Sequence, residues 1–153
     1  MKTKSLGLYG VCLVGSMALI GCSAAVEDTR PGQPVKTRQA AFQEILKAFE
    51  PMGVMLRTDS YQPELFARLA TELVSKRAAP WSLFAADTHY PPTKAKAEVW
   101  SQAAQFEQAR LAFFAATDAL KIAADSQEIE SATVAYNKVY DTCKACHEQF
   151  KGR

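Results

Sequence analysis

The residues best suited to chemistry are Cys143-Lys144-Ala145-Cys146-His147, a CxxCH motif near the end of the chain. Each thiol can add across one vinyl group of haem, and the histidine that follows is placed to bind the iron. On a helix, residues three and four apart project from one face, so both thiols and the imidazole share that face. The motif therefore predicts one covalently attached haem c, with His147 as an axial ligand of the iron.

Two other sites built on CxxC are a zinc half-site and a thioredoxin-like redox pair. Zinc needs two further ligands, and His89 is the only histidine outside the motif. A redox pair would sit at the first turn after a strand, whereas this motif lies in a helical pattern. Haem is the favoured interpretation. We expect His89, beside Tyr90 and two prolines, to be an exposed loop residue.

The first 21 residues have the pattern of a bacterial export signal. Lys2 and Lys4 precede an apolar run at residues 6–20, shorter than the about 18 residues that span a membrane. Residues 19–22 resemble a lipobox, in which the cysteine, here Cys22, is lipidated; a plain signal peptide with an incidental cysteine is the alternative. We expect a lipoprotein signal peptide at 1–21, a lipidated tether at 22–34, and a location on the periplasmic side of a bacterial membrane. Ser23 is compatible with sorting to the outer membrane.

The composition argues against a disulfide framework and against a nucleic-acid surface. Cys12 is removed with the signal, Cys22 takes lipid, and the other two cysteines take haem, so no thiol remains for a disulfide. The signal also removes two of the 18 basic side chains and none of the 16 acidic ones, which leaves the mature chain neutral. A nucleic-acid partner would require a strongly basic surface.

The rest of the chain carries apolar residues at the three- and four-residue spacing of a helix face. This spacing predicts helices at about residues 35–57, 63–79, 95–124 and 129–150. Asp125 and Glu128 are placed to form a capping box before the last helix. The pattern predicts an all-α fold, an antiparallel four-helix bundle over residues 35–153, with the haem inside it near the end of the last helix.

A four-helix bundle with CxxCH on its final helix resembles cytochrome c′, the class II c-type cytochromes. Class I proteins carry this motif near the N-terminus instead. Three further segments are similar to the family: residues 35–42 to the entry of its first helix, 79–84 to the segment after its second, and 97–100 to the start of its third. The resemblance covers residues 35–151.

The resemblance implies a vacant coordination position on the haem iron. In the family the histidine of CxxCH, here His147, is the only protein ligand, and the opposite face meets an apolar residue or, in low-spin relatives, a methionine. Phe42 matches that position, which implies five-coordinate, high-spin iron. Met52 and Met55 lie too far along the helix to replace it and are expected in the core.

The resemblance also assigns residues around the haem edge. Arg38 and Gln39 match residues that contact the haem propionates, and Trp81 and Phe84 are expected to pack against the haem. Lys151 takes a proximal position where the family commonly has arginine; lysine lacks the planar fork of a guanidinium. Tyr140 stands where glycine is frequent, and its side chain must turn away or change the packing.

These features favour a haem protein that binds nitric oxide and carbon monoxide. An apolar distal side suits NO, which needs no hydrogen-bond donor, and the family resemblance implies that NO can end on the proximal side in place of His147. A membrane-tethered electron carrier with a redox partner protein is the alternative. A peroxidase needs a distal acid–base residue, which the first helix lacks, so no enzymatic activity is expected. The resemblance implies a homodimer.

Overall fold

The structure is a computed structural model that describes residues 26–153. The predicted signal peptide and Cys22 lie outside the described residues. No helix within residues 26–153 combines the length and the apolar character that crossing a membrane requires. The described part of the predicted tether, residues 26–34, packs against the bundle through Asp28, whose side chain is buried.

The described chain contains five α-helices, and four of them are long. They are α1 (Pro34–Arg57), α2 (Pro63–Lys76), α3 (Glu98–Ser101), α4 (Ala103–Asp125) and α5 (Ile129–Phe150), with a 3-10 turn at Trp81–Leu83. Between residues 26 and 153 the only strand-like pairing is a single bridge between Ala95 and Lys151. The predicted four-helix bundle is confirmed.

The first two helices begin at prolines. Pro34 and Pro63 each occupy the first turn, where a missing backbone N–H costs no hydrogen bond. The four long helices then pack in the order α1, α2, α4, α5, and each buries one apolar stripe. Met52 and Met55 belong to this core, as the sequence predicted.

The predicted third helix is broken, and the predicted capping box is absent. The chain leaves helical geometry at Gln102 (φ −119°, ψ 46°), which separates α3 from α4. The expected start at Ala95 is wrong because this backbone pairs with the end of α5, where Lys96 N–H donates to the Phe150 carbonyl. At the start of α5, Glu128 is the N-cap without a side-chain bond, and Asp125 ends α4 in an ion pair with Lys121.

One end of the bundle brings α1, α5 and the long connection together. The beginning of α1 meets this connection where the Gln39 amide donates to the Pro92 carbonyl. The end of α5 meets it at the Ala95–Lys151 bridge. We call this the site end, and we call residues 84–97 the site loop. The far end holds the short turns between α1 and α2 and between α4 and α5.

At mid-height, α1 and α5 meet through a stacked aromatic pair over a glycine. The rings of Phe49 and Tyr136 are 4.3 Å apart and nearly parallel, at 7°. A Cβ atom at Gly53 would lie 2.1 Å from the Tyr136 hydroxyl oxygen. Gly53 therefore lets the Tyr136 ring approach the backbone of α1.

We expect Gly53→Ala to destabilise the haem-loaded protein by about 1–3 kcal/mol, because the added methyl must displace a buried, stacked ring. Urea unfolding would measure the loss. Gly152→Ala is the matched control: its Cβ would meet only the Lys94 carbonyl oxygen at an ordinary 3.5 Å, so its effect should stay within about 0.5 kcal/mol. Equal stability of both variants would contradict the close packing at Gly53.

Candidate functional site

The motif residues lie in the last two turns of α5. Cys143 is half-buried and packs against the hydrophobic core, Cys146 is half-buried nearby, and His147 is exposed. Both cysteines are free thiols. The helix thus presents two thiols and an imidazole together, as the spacing predicted, with one thiol directed towards the bundle interior.

Local burial keeps the thiols protonated and the imidazole neutral. Burial, with a smaller contribution from Cys146, raises the pKa of the Cys143 thiol to about 11. Burial also raises the pKa of Cys146. Partial desolvation, assisted by the charge of Lys151, lowers the pKa of His147. Neutral imidazole is the form that ligates a metal.

The donors for a zinc site do not come together in the described structure. Among residues 26–153, no three His, Cys, Asp or Glu side chains are grouped as they would be around a metal ion. His89 is exposed, and its ring lies 4.9 Å from that of Trp100. The two thiols and His147 remain the donor set, which fits thioether attachment and axial ligation of haem.

Aromatic rings line the path from α1 to the end of α5. Phe42 lies edge-to-face with Trp81 at 5.8 Å and with Phe84 at 6.3 Å. Phe84 contacts Phe106 at 4.9 Å, and Phe106 contacts Phe150 at 5.1 Å, one turn beyond the haem motif. We call these five residues the aromatic wall. An open depression of about 380 Å³ borders the wall at Trp81, Phe84 and Phe106.

Arg38 is a buried cation beside this wall. Its residue exposure is 3%, and its guanidinium stacks over the Phe84 ring at 4.3 Å. It donates to the Leu83 carbonyl (2.8 Å) and to the hydroxyls of Thr88 (3.0 Å) and Thr93 (2.7 Å). Desolvation lowers its pKa, although the charge of the Asp28 carboxylate acts in the opposite direction.

The Arg38 guanidinium has no carboxylate partner among the described residues, since none of the ion pairs there includes it. A buried charge without a counter-charge is costly. A haem propionate has the charge and shape that a guanidinium fork binds. The site end therefore fits a carboxylate-bearing group. This supports the predicted contact between Arg38 and a haem propionate, which stays a prediction. Gln39 is exposed, and its amide is bonded to the site loop.

The two departures from the family pattern lie at the surface of α5. Tyr140 is 56% exposed, so its side chain turns away from the core. Lys151 is exposed and ends the helix in extended conformation, where its N–H donates to the His147 carbonyl (3.1 Å). Its backbone bridge to Ala95 fixes it next to His147. Its proximal role remains a prediction.

Several residues of the site end were not predicted as part of it. Phe106 and Phe150 complete the aromatic wall, and Thr88 and Thr93 hold the guanidinium of Arg38. The apolar spacing of α4 and α5 places Phe106 and Phe150 on inward faces, but it does not show that they meet. Nothing in the local sequence marks the two threonines as part of the site, because their hydrogen bonds with Arg38 join residues 50 and 55 positions apart in the chain.

Comparisons with known proteins agree with this geometry. The family model described as cytochrome C′ matches residues 33–151. The cytochrome c′ of Cereibacter sphaeroides is 32% identical over 146 residues, which is 92% of this chain and 96% of that protein. The solved structure of cytochrome c prime from Shewanella frigidimarina has a TM-score of 0.77 at 28% identity, covering 82% of this chain and 98% of that one.

A third similar protein has been solved with diatomic gases. One structure is the nitric oxide complex of a leucine-to-isoleucine variant of cytochrome c prime from Alcaligenes xylosoxidans. It is 29% identical to this chain with a TM-score of 0.76, and the match covers 83% of this chain and 100% of that one. A further variant of that protein is described with carbon monoxide bound. The fold, the CxxCH on α5 and a match over nearly the whole described chain lead to one conclusion: this chain belongs to the cytochrome c′ family, whose members carry one covalently attached haem c.

Proposed function

We propose that this protein binds nitric oxide, and carbon monoxide, at a five-coordinate, high-spin haem. The observation that carries the proposal is the position of Phe42 within the aromatic wall, packed edge-to-face against Trp81 and Phe84. A phenyl ring cannot ligate iron, so His147 is left as the sole protein ligand. The NO and CO complexes of the Alcaligenes xylosoxidans protein support the same ligand class.

The distal side of the proposed site offers shape and apolar surface, and the aromatic neighbours of Phe42 in the described structure, Trp81 and Phe84, leave no side-chain hydrogen-bond donor free. The indole N–H of Trp81, its polar neighbour, donates to the Arg77 carbonyl at 2.6 Å. When bound, haem supplies an iron atom that coordinates diatomic gases. Bound O₂ benefits from a polar donor, whereas NO and CO do not need one, so the wall favours NO and CO.

Each of the chain's own residues has a distinct part in this proposal. Cys143 and Cys146 hold the haem by thioether bonds, and His147 binds the iron from α5. Phe42 crowds the opposite face, which favours NO ending on the proximal side in place of His147. Lys151, fixed beside His147 by its backbone, places a positive charge there without the bidentate fork of arginine.

Electron transfer is the second candidate. Cys146 borders an open groove of about 290 Å³ between α4 and α5, and His147 is exposed, so a haem attached there would lie near the surface and within reach of a redox partner protein. Against it, five-coordinate iron changes its geometry more between redox states than iron with two protein ligands. The buried positions of Met52 and Met55 also argue against a methionine ligand.

We further propose that the protein works from the periplasmic side of a bacterial membrane, anchored by lipid on Cys22. The lipobox-like residues 19–22 and the covalent haem, which is attached outside the cytoplasm, support this location. A homodimer is proposed from the family resemblance alone.

Phe42→Ala should increase the CO association rate of the ferrous protein on the order of ten-fold, because it removes the ring that covers the sixth coordination position. Flash photolysis would measure the rate. Leu56→Ala, on the same helix but near the far end, also truncates a half-buried side chain and should leave the rate unchanged. An unchanged rate in Phe42→Ala would contradict the distal placement of Phe42.

The ferric protein should show a high-spin, five-coordinate absorption spectrum, and the ferrous protein with NO should show the Soret band of a five-coordinate complex. Met52→Leu and Met55→Leu should leave the ferric spectrum unchanged, since both methionines are core residues. A low-spin ferric spectrum that became high-spin in either variant would favour the electron carrier. A six-coordinate NO complex that persisted would contradict displacement of His147.

Arg38→Gln should lower the haem reduction potential on the order of tens of millivolts, because a nearby cation stabilises ferrous over ferric iron. Redox titration at several pH values would show it, together with an altered pH dependence as the propionate titrates. Arg30→Gln, an exposed arginine at the same end, is the control and should have little effect. A wild-type potential in Arg38→Gln would mean that Arg38 only holds the site loop.

A further inference from the structure

Residues 26–33, here called the N-terminal arm, are bound to the site end through Asp28. The Asp28 side chain is buried, with 2% residue exposure. Its carboxylate accepts hydrogen bonds from the backbone N–H of Val35 (2.9 Å) and Lys36 (3.1 Å), which are free donors in the first turn of α1. It also accepts one from the Tyr90 hydroxyl at 2.7 Å, across 62 residues of chain. One carboxylate thus joins the arm, α1 and the site loop.

Arg30 adds a second attachment to the same loop. Its guanidinium donates to the Asp87 carbonyl (2.7 Å), pairs with the Asp87 carboxylate (3.1 Å) and lies 4.0 Å over the Tyr90 ring. The arm then reverses into α1 through Gly32 and Gln33, both with positive φ, 74° and 43°. This turn returns the chain so that Asp28 reaches the start of α1.

Charge reinforces the attachment at Asp28. Burial alone would raise the pKa of Asp28, but the hydrogen bonds from Tyr90 and from three backbone N–H groups outweigh it and hold the pKa below its ordinary value. The carboxylate is therefore ionised at neutral pH, where it meets the positive end of the α1 dipole.

We propose that the N-terminal arm is a clasp that sets which end of the bundle faces the membrane, with the site loop against the phospholipid headgroups. The inference rests on the lipid anchor at Cys22 proposed above. Only six residue steps separate Cys22 from Asp28. Fully extended, they reach about 21 Å.

This short reach excludes the inverted orientation. α1 has 24 residues, so the bundle is about 36 Å long at 1.5 Å per residue. If the far end lay on the membrane, Asp28 would be about 36 Å above the membrane surface. The chain from Cys22 to Asp28 can span only about 21 Å. Without the clasp, the free chain would extend to Gln33 and reach about 38 Å, enough for either orientation. The contacts of Asp28 and Arg30 together therefore decide the orientation.

The surface that the clasp turns towards the membrane suits phospholipid headgroups. Exposed Ala85, Ala86 and Pro91 on the site loop offer small apolar contacts, and exposed Lys94 offers a cation. The acidic Asp87 is already paired with Arg30. Lysines near an anionic membrane surface are attracted to it.

Lysine labelling of the haem-loaded, full-length protein would test the orientation. The protein would be purified from membranes and reconstituted into phosphatidylcholine–phosphatidylglycerol vesicles. A membrane-impermeant amine reagent would be applied, and each lysine would be read by mass spectrometry. Relative to protein in detergent, labelling of Lys94 at the site end should fall several-fold, and labelling of Lys121, near the far end, should not change.

Three variants separate the clasp from other effects. Asp28→Ala combined with Arg30→Ala should remove the difference between Lys94 and Lys121 by freeing the arm as far as Gln33. Six Gly/Ser residues inserted between Ala24 and Ala25 should do the same with the contacts of Asp28 intact, so this variant does not depend on the stability of the clasp. Asp87→Asn, the matched control, weakens only the surface pair with Arg30 and should keep the wild-type labelling.

The outcomes distinguish this inference from the anchor on which it rests. If the wild-type protein does not remain with neutral phosphatidylcholine vesicles after a high-salt wash, the lipid anchor is wrong and the orientation fails with it. If it remains, but Lys94 and Lys121 are protected equally or the insertion changes nothing, the anchor stands and the clasp is wrong. Protection of Lys94 alone, lost in the insertion variant, supports the clasp.

Discussion

The site end depends on a single buried cation, the guanidinium of Arg38. Three neutral oxygens accept hydrogen bonds from three of its five N–H groups, but none of them supplies a negative charge, and desolvation lowers its pKa. The charge of the Asp28 carboxylate acts on it from a distance. A carboxylate that arrives with a cofactor would complete this environment, so cofactor binding and the ordering of the site loop are thermodynamically linked. The loop would then be most stable in the haem-loaded protein.

The aromatic wall lies next to this cation and has the opposite character. Its rings meet edge-to-face or tilted at 4.9–6.3 Å, an arrangement that resists compression and presents few polar atoms. The indole N–H of Trp81, whose ring contacts Phe42, is directed to the Arg77 carbonyl. The site end thus separates a charged edge, suited to propionates, from a dry face suited to an uncharged diatomic ligand.

The sequence was sufficient wherever the determining contacts are local. CxxCH and the apolar spacing of the helices act within a few residues, and these features were predicted. The later start of the third helix was not, because residues 95–96 pair with the end of α5, more than 50 residues away. The tether prediction missed Asp28 for the same reason: Pro- and Gly-rich composition indicates a coil, but it cannot reveal a bond to Tyr90.

The arrangement of α5 also bears on the proposal that NO can displace His147 from the iron. Ala132, Tyr136, Val139 and Cys143 form one stripe against the core, so core packing fixes the position of the first thiol. His147, one turn after Cys143, is exposed. Desolvation and the charge of Lys151 lower the pKa of its imidazole, which has no hydrogen bond from residues 26–153.

A metal-bound histidine usually donates its second ring N–H to a carboxylate or carbonyl, which makes it a stronger ligand. The described residues give His147 no such partner, and Lys151 disfavours positive charge on the ring. An imidazole held only by its helix and by the iron is a weaker ligand than one locked by a second hydrogen bond. This supports the proposal that NO can replace His147. In that proposal, the missing hydrogen-bond partner of His147 on α5 contributes to the replacement as much as the crowding by Phe42 does.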